Sequence, residues 1–151
     1  MEGETKSKTS KRVLVIFHSM YGHVETLGKS ILEGVNSIDG VKGELWRVPE
    51  TFPDEVLTKM HAKKYGDEIP VLSHDKLDEL TKADGFLFGM PTRFGMMSSQ
   101  MKAFFDSTGG LWMKGALSGK PAGLFFSTGT QGGGQETKGV VNSSSEIRGV
   151  S

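Results

Sequence analysis

RVLVIFHSMYGHVETLG, residues 12–28, holds two periodicities and the junction between them. Arg12–Phe17 is a short continuous apolar run, the pattern of a strand covered on both faces. Beyond the junction, Val24, Leu27, Ile31, Val35 and Ile38 recur at helical spacing until DGVKG (residues 39–43) ends the helix. The junction itself, HSMYGH (residues 18–23), crowds a hydroxyl, a phenol, a glycine and imidazoles into one turn. A helix opening directly from a buried strand presents free N–H groups and the positive end of its dipole, and both favour an anion. Ser19 can add a hydroxyl donor, and Gly22 permits close backbone approach. One helix terminus contributes only ~0.3–1 kcal/mol to an exposed charge, so several donors must act together on a phosphate. The competing reading is that Ser19 simply caps the helix.

The same alternation continues along the chain. ELWRV (residues 44–48) reads as a second strand closed by PETFP (residues 49–53). Asp54 is expected to cap a short helix reaching Ala62, followed by a polar, mobile segment over Lys63–Pro70. Asp75–Ala83 predicts another brief helix leading into a third buried strand, Gly85–Met90. Met97, Met101, Phe104 and Phe105 fall on one helical face and read as core filler rather than a ligand set. Lys120–Phe126 is the fourth strand. Strands alternating with helices predict an α/β open parallel sheet with right-handed crossovers. In such a sheet the carboxyl ends share one edge, and ligands bind in the crevice where strand order reverses. HSMYGH, MPTRFGMM (residues 90–97) and STGTQGGGQ (residues 127–135) all lie at carboxyl ends, so topology alone brings them together.

Composition narrows the function classes. The chain has 151 residues, enough for one domain with a real core. Lys plus Arg and Asp plus Glu are both 18, so no global field draws in nucleic acid or membrane. There is no cysteine, which excludes disulfides, thiolate catalysis and Cys-ligated metal. Glycine, at 21 residues, is abundant, which suits tight backbone approaches in loops. No apolar run approaches the ~18 residues of a membrane span, and MEGETKSKTSKR (residues 1–12) lacks the apolar centre of a signal peptide. A cytoplasmic location is the expectation, with peripheral association at the plasma membrane as its variant.

Motif by motif, several chemistries fall away. No GxGxxG follows the first strand, which argues against a dinucleotide fingerprint. GALSGKPA (residues 115–122) is one residue short of a phosphate loop, has Pro121 where Ser or Thr belongs, and precedes a strand instead of opening a helix. His18, His23, His61 and His74 show no metal-ligand spacing, and Ser127 lacks the G-x-S-x-G elbow. What remains suits a flat heterocycle: PTRFG (residues 91–95) offers amides beside Phe94, Trp112 adds an aromatic surface near that mouth, and TGTQGGG (residues 128–134) allows a second close approach. Packing for the aromatics and a loose glycine linker for the third loop are the bland alternatives.

SMYGHVETL, RVPET, GMPTRFGMMSSQMKAFFDSTGGLW and LSGKPAGLFFSTGTQGGGQET, taken together from Lys11 to Thr137, resemble the WrbA family of flavodoxin-like NAD(P)H:quinone oxidoreductases, closest to its plant and fungal members. The motifs are specific, because ordinary flavodoxins lack PTRFG and GGLW. The resemblance implies sheet order 2-1-3-4 in the numbering of the four sequence strands, FMN as cofactor, NADH or NADPH as electron donor, a quinone as acceptor and a homotetramer. It places the FMN phosphate loop at Ser19, Met20, Tyr21, Gly22, His23 and Val24. It sets Thr92, Arg93, Phe94 and Gly95 against the isoalloxazine, with Ser127, Thr128, Gly129, Thr130, Gln131, Gly132 and Gly133 as the third loop. It assigns Tyr21 to the nicotinamide nucleotide and Trp112 to the quinone. No side chain is required as a nucleophile, since the cofactor carries the chemistry.

Past Thr137 the resemblance stops. KGVVNSSSEIRGVS (residues 138–151) is polar and Ser-rich where family members continue with a helix, a fifth strand and a closing helix. The expectation is an N-terminal disordered tail over residues 1–10, an incomplete flavodoxin-like domain over 11–138, and an unrelated tail over 139–151, as an alternative transcript end would leave. On that expectation AGLFF (residues 122–126) becomes an open edge. Two or three large side chains exposed at ~1.5–3 kcal/mol each weigh heavily against a typical margin of ~5–15 kcal/mol. The isolated chain would then hold FMN weakly and turn over slowly. Two further readings accompany the enzyme: a non-catalytic module pairing with full-length subunits, and a one-electron carrier, which the zero net charge disfavours.

Overall fold

The last four residues of the first strand's apolar run, Leu14–Phe17, are buried, and they serve two cores at once. The structure, a computed structural model, describes residues 10–136. In β1 (Lys11–Phe17), Leu14 and Ile16 join one hydrophobic cluster while Val15 and Phe17 join another on the opposite face, as the two-residue period of a strand requires. The expected terminal tails, residues 1–10 and 139–151, lie outside the described residues apart from Ser10.

The remaining elements follow in order: α1 (His23–Asn36), β2 (Val41–Arg47), α2 (Asp54–Lys59), a 3₁₀ turn (His74–Lys76), α3 (Asp78–Lys82), β3 (Gly85–Arg93), β4 (Met96–Met97), α4 (Ser99–Ser107), α5 (Gly109–Met113) and β5 (Ala122–Ser127). β1 pairs in parallel with β2 and with β3, and β3 pairs in parallel with β5. The parallel order is therefore β2-β1-β3-β5, the four sequence strands in the expected order. β4 is a two-residue antiparallel return on the end of β3, with Thr92 opposite Met97 and Arg93 opposite Met96. The reversal of strand order at β1 and β3 puts the crevice above their carboxyl ends.

On one face, Val24, Ile31 and Leu32 of α1 pack against Val15, Phe17 and Phe125. On the other, Met101 and Phe104 of α4 and Leu80 of α3 pack against Leu14, Ile16, Phe86, Phe88 and Met90. β3 feeds both, and at Gly89 it has no side chain because the Phe125 ring lies there.

Several boundaries differ from the sequence reading. Asp54 does not cap α2; Pro53 holds the cap position in extended backbone and Asp54 is the first helical residue. Met97 belongs to β4, and α4 starts only at Ser99, although Met97, Met101 and Phe104 are all buried as expected. Trp112, expected on a loop at the crevice mouth, lies in α5. Lys63–Pro70, expected to be mobile, is tied down: Arg47 Nε donates to the Ile69 carbonyl at 3.2 Å and the Lys63 amide to the Met20 carbonyl at 2.7 Å.

Candidate functional site

The first loop leaves β1 at Phe17 and enters α1 at His23, with Gly22 at the N-cap. Gly22 has φ 96° and supplies no side-chain cap, so the amides of the first turn are not consumed by one. Thr26 N–H takes the Gly22 carbonyl at 3.0 Å, whereas the N–H groups of His23, Val24 and Glu25 meet no acceptor among the described residues. Ser19 is buried, and its Oγ accepts from the Gly22 amide at 3.0 Å. It therefore braces the turn, not the helix end, and its hydroxyl proton remains available to donate.

The second loop is a tight hairpin. Phe94 and Gly95, between β3 and β4, have φ of 52° and 74°, the pattern of a type I′ turn with both central residues left-handed. Left-handed backbone at an aromatic residue costs of order 1–3 kcal/mol, and here it projects a fully exposed Phe94 ring. The third loop follows β5 and is ordered by its own side chains: Thr128 Oγ1 donates to the Thr130 carbonyl at 2.9 Å, and Gln135 Nε2 donates to Thr128 Oγ1 at 2.7 Å. It then touches the second loop. A Cβ on Gly134, which has φ 101°, would sit 2.6 Å from Gly95 Cα and 3.3 Å from Thr92 Cγ2.

All three loops wall one cavity of about 380 Å³. Ser19, Met20, Tyr21, His23 and Val24 come from the first loop; Thr92 and Arg93, with Pro91, from the second; Ser127, Thr128 and Gly129 from the third. Gly22, Phe94, Gly95, Thr130, Gln131, Gly132 and Gly133 belong to the same loops but do not line the cavity. Trp112 lies apart from it, exposed on α5. Tyr21 lines the cavity with a half-exposed ring, its hydroxyl donating to the Met60 carbonyl at 3.2 Å. A larger cavity of about 440 Å³ opens on the β2 side of β1 and shares only Ser19 and Met20 with the first. It contains nothing from the second or third loop.

Groups missed in the sequence support the crevice from behind. His18, 5% exposed, follows β1 and donates its backbone N–H to the Gly89 carbonyl at 2.9 Å. Its Nε2 lies 3.4 Å from Glu50 Oε2, and Nδ1 is buried without a partner among the described residues. Burial pushes the imidazole below its ordinary range, and the attraction of Glu50 only partly offsets that. Burial also pushes the Glu50 carboxyl up, but hydrogen bonds from Gln100 at 2.7 Å and from the Phe52 and Thr51 amides outweigh it and hold the carboxyl low. Tyr65, whose phenol donates to the Ser19 carbonyl at 2.9 Å, is pushed up to about 12, chiefly by burial. Its only sequence signal is that it is the one aromatic residue in Lys63–Pro70.

Three loops converging at the switch point of an open parallel sheet define a flavodoxin-like domain. A solved flavodoxin, the WrbA-like protein from Agrobacterium tumefaciens, shares the fold with a TM-score of 0.60 at 24% identity, covering 85% of this chain and 67% of that one. A flavodoxin from the domain Archaea matches with a TM-score of 0.54 at 22% identity, covering 78% of this chain and 63% of that one. The family model described as NADPH-dependent FMN reductase matches residues 12–144, and the chain belongs to that family. It is 59% identical over 130 residues to the quinone-oxidoreductase QR2 of Triphysaria versicolor and 57% identical over 132 residues to a probable NAD(P)H dehydrogenase (quinone), FQR1-like 2, of Arabidopsis thaliana. Those matches take in 86% and 87% of this chain, which spans 62% and 47% of the length of these curated relatives. Among the described residues no helix is long and apolar enough to cross a membrane.

Proposed function

We propose that the chain holds FMN in the three-loop crevice and serves an NAD(P)H:quinone oxidoreductase, with NADH or NADPH as donor and a quinone as acceptor. The observation that carries this reading is the convergence of loops from residues 19–24, 91–93 and 127–129 on one cavity beside amides with no acceptor. The names of the curated relatives, which carry quinone oxidoreduction and NAD(P)H, support the substrate class.

The donor set fits the phosphate end of FMN. The His23, Val24 and Glu25 amides and the Ser19 hydroxyl are hydrogen-bond donors around a helix terminus, and Arg93 adds a cation to the cavity wall. Thr128 is already engaged on both sides by Thr130 and Gln135, so it shapes the third loop rather than binding ligand. The Phe94–Gly95 turn and Gly134 bring two stretches of backbone together, which suits the edge of a planar ring. Bound FMN would supply the redox chemistry, taking a hydride from NAD(P)H and delivering it to the quinone. The protein's share is to bind the phosphate, orient the ring and leave one side of the cavity open to substrates. The half-exposed Tyr21 ring on the cavity wall supports the role at the nicotinamide nucleotide that the resemblance implies; the exposed Trp112 would reach a quinone only outside the cavity itself.

The test is to mix purified chain with FMN, remove unbound flavin, and follow NAD(P)H oxidation with and without benzoquinone. Retained flavin with quinone-dependent oxidation supports the reading. A chain that retains no flavin and oxidises no NAD(P)H overturns it.

A further inference from the structure

A carboxylate stands where a phosphate site least tolerates one. Glu25 is the third residue of α1, in the turn whose amides are unclaimed, and it is 4% exposed. A charged acid in a first turn satisfies the helix dipole, and so competes with any anion that would bind there. Two lysines hold it. Lys29, one turn further along α1, reaches Glu25 Oε1 at 2.6 Å, and Lys63 bonds Oε2 from a different part of the chain.

Lys63 belongs to a strap, Met60–Tyr65, that runs behind the first loop. Besides its side chain, its amide donates to the Met20 carbonyl at 2.7 Å, and two residues on the Tyr65 phenol holds the Ser19 carbonyl at 2.9 Å. The strap also meets Gly22: a Cβ there would lie 3.4 Å from Lys63 Cδ and 3.9 Å from Glu25 Oε2. Burial alone would push the Glu25 carboxyl up, yet hydrogen bonds from Lys29 and Lys63 hold it low and therefore charged. The carboxylate is shared between Lys29 of its own helix, on Oε1, and Lys63 of the strap, on Oε2.

We infer that Lys63 is a positioning residue for the phosphate: from behind the loop it completes the neutralisation of Glu25 that Lys29 begins, so that the first turn of α1 keeps its preference for a dianion. Lys63 does not line the crevice, so it acts through Glu25 and not by touching the ligand. This inference rests on the crevice being an FMN site. It concerns the phosphate alone, which separates FMN from riboflavin.

The experiment titrates FMN and riboflavin by fluorescence quenching into the full chain, its Lys63→Met and Glu25→Gln variants, and the Glu25→Gln/Lys63→Met double variant. Lys63→Met is expected to weaken FMN about threefold, part of the roughly tenfold that a wholly uncompensated like charge would cost at intermediate dielectric, because Lys29 still faces Glu25, and to leave riboflavin unchanged. Glu25→Gln is expected to bind FMN as tightly as wild type or tighter, and the double variant to recover what Lys63→Met lost. A merely structural Lys63 would not be rescued by removing its partner. Should Lys63→Met fail to fold, the comparison of Glu25→Gln with wild type decides, and weaker FMN binding there overturns the inference. Equal FMN binding by Lys63→Met, parallel loss of riboflavin, or no recovery in the double variant also overturns it. A wild-type chain that binds neither flavin overturns the assignment of the crevice itself.

Discussion

Phe125 and Gly89 face each other directly across the β3–β5 pairing, and the phenylalanine ring fills the space where a side chain on Gly89 would stand. A Cβ on Gly89 would lie 2.2 Å from two ring carbons, while one on Gly28 of α1 would lie 3.6 Å from the same ring. One aromatic side chain thus spans the layer between α1 and the sheet, close below the crevice, since the Gly89 carbonyl also accepts the His18 amide.

Gly89→Ala is therefore expected to destabilise by about 1–3 kcal/mol, the usual cost of overpacking. That corresponds to a Tm loss of about 2–4 °C per kcal/mol in a chain of this length. Adding Phe125→Leu should recover part of the loss, because the obstruction is the ring. Thermal melts of the single and double variants check both statements; equal Tm for Gly89→Ala and wild type would show that the ring moves aside freely.

At the amino edge of the sheet, Arg12 joins β1 to β2 and α3. It donates to Glu44 through Nε at 2.9 Å and through a terminal nitrogen at 2.6 Å, and that terminal nitrogen also reaches Glu79 at 2.7 Å. Hydrogen bonding by Arg12 is the main reason the Glu44 carboxyl lies below its ordinary value of 4.5. The contribution is complete above that pH and is lost as pH falls through the lower folded value. Arg12→Met is expected to cost about 1–2 kcal/mol at neutral pH, below the figure for fully buried pairs because the three side chains remain 21%, 26% and 23% exposed. The variant should also show a shallower loss of Tm in acid, with Glu25 and Glu50 supplying the acid sensitivity that remains.

His18 gives a slope in a different pH window. Its folded form is the neutral ring, because burial lowers its affinity for a proton. Unfolding therefore takes up a proton below the ordinary imidazole value of 6.5, so stability is full above that pH and declines beneath it. Tm should fall measurably between about pH 7 and about pH 5.5, and His18→Asn should flatten that part of the curve. An unchanged slope in His18→Asn would assign the effect to another group.

Much of this was legible in the sequence, and the parts that were not share a cause. The continuous runs at Arg12–Phe17 and Gly85–Met90 named both central strands, because burial on both faces leaves its mark on residue type, and the alternation of elements named a parallel sheet, whose strand order came only from the resemblance. The crevice followed from topology: three loops at carboxyl ends must converge. The strap was misread because its anchors are backbone carbonyls of Ser19 and Met20, which any residue could offer. The role of Glu25 was invisible for the same reason, as its second partner lies 38 positions away. α5 was missed because GGLWM opens on two glycines, poor helix formers, and has too few residues to display a period. The crevice's closest backbone approach uses Gly134, one position beyond the glycines singled out from the resemblance.

Gly134 carries the last prediction. Its φ of 101° is a conformation that side-chain-bearing residues rarely adopt, and the Cβ it lacks would stand 2.6 Å from Gly95 Cα. That neighbour is backbone, which cannot turn away as a flexible side chain could. Gly134→Ala must therefore push the third loop off the second, opening the crevice on the side where the flavin ring would lie. The sheet is untouched, since Gly134 lies beyond the end of β5 at Ser127. The expected result is FMN affinity weakened about tenfold, as for a misplaced binding group, with Tm in the absence of flavin nearly that of wild type. The stabilisation by bound flavin, which for wild type at one hundred times Kd amounts to about 2.7 kcal/mol, should shrink accordingly and with it the flavin-induced rise in Tm. Equal FMN affinity in Gly134→Ala would mean that the contact between the second and third loops plays no part in holding the ligand.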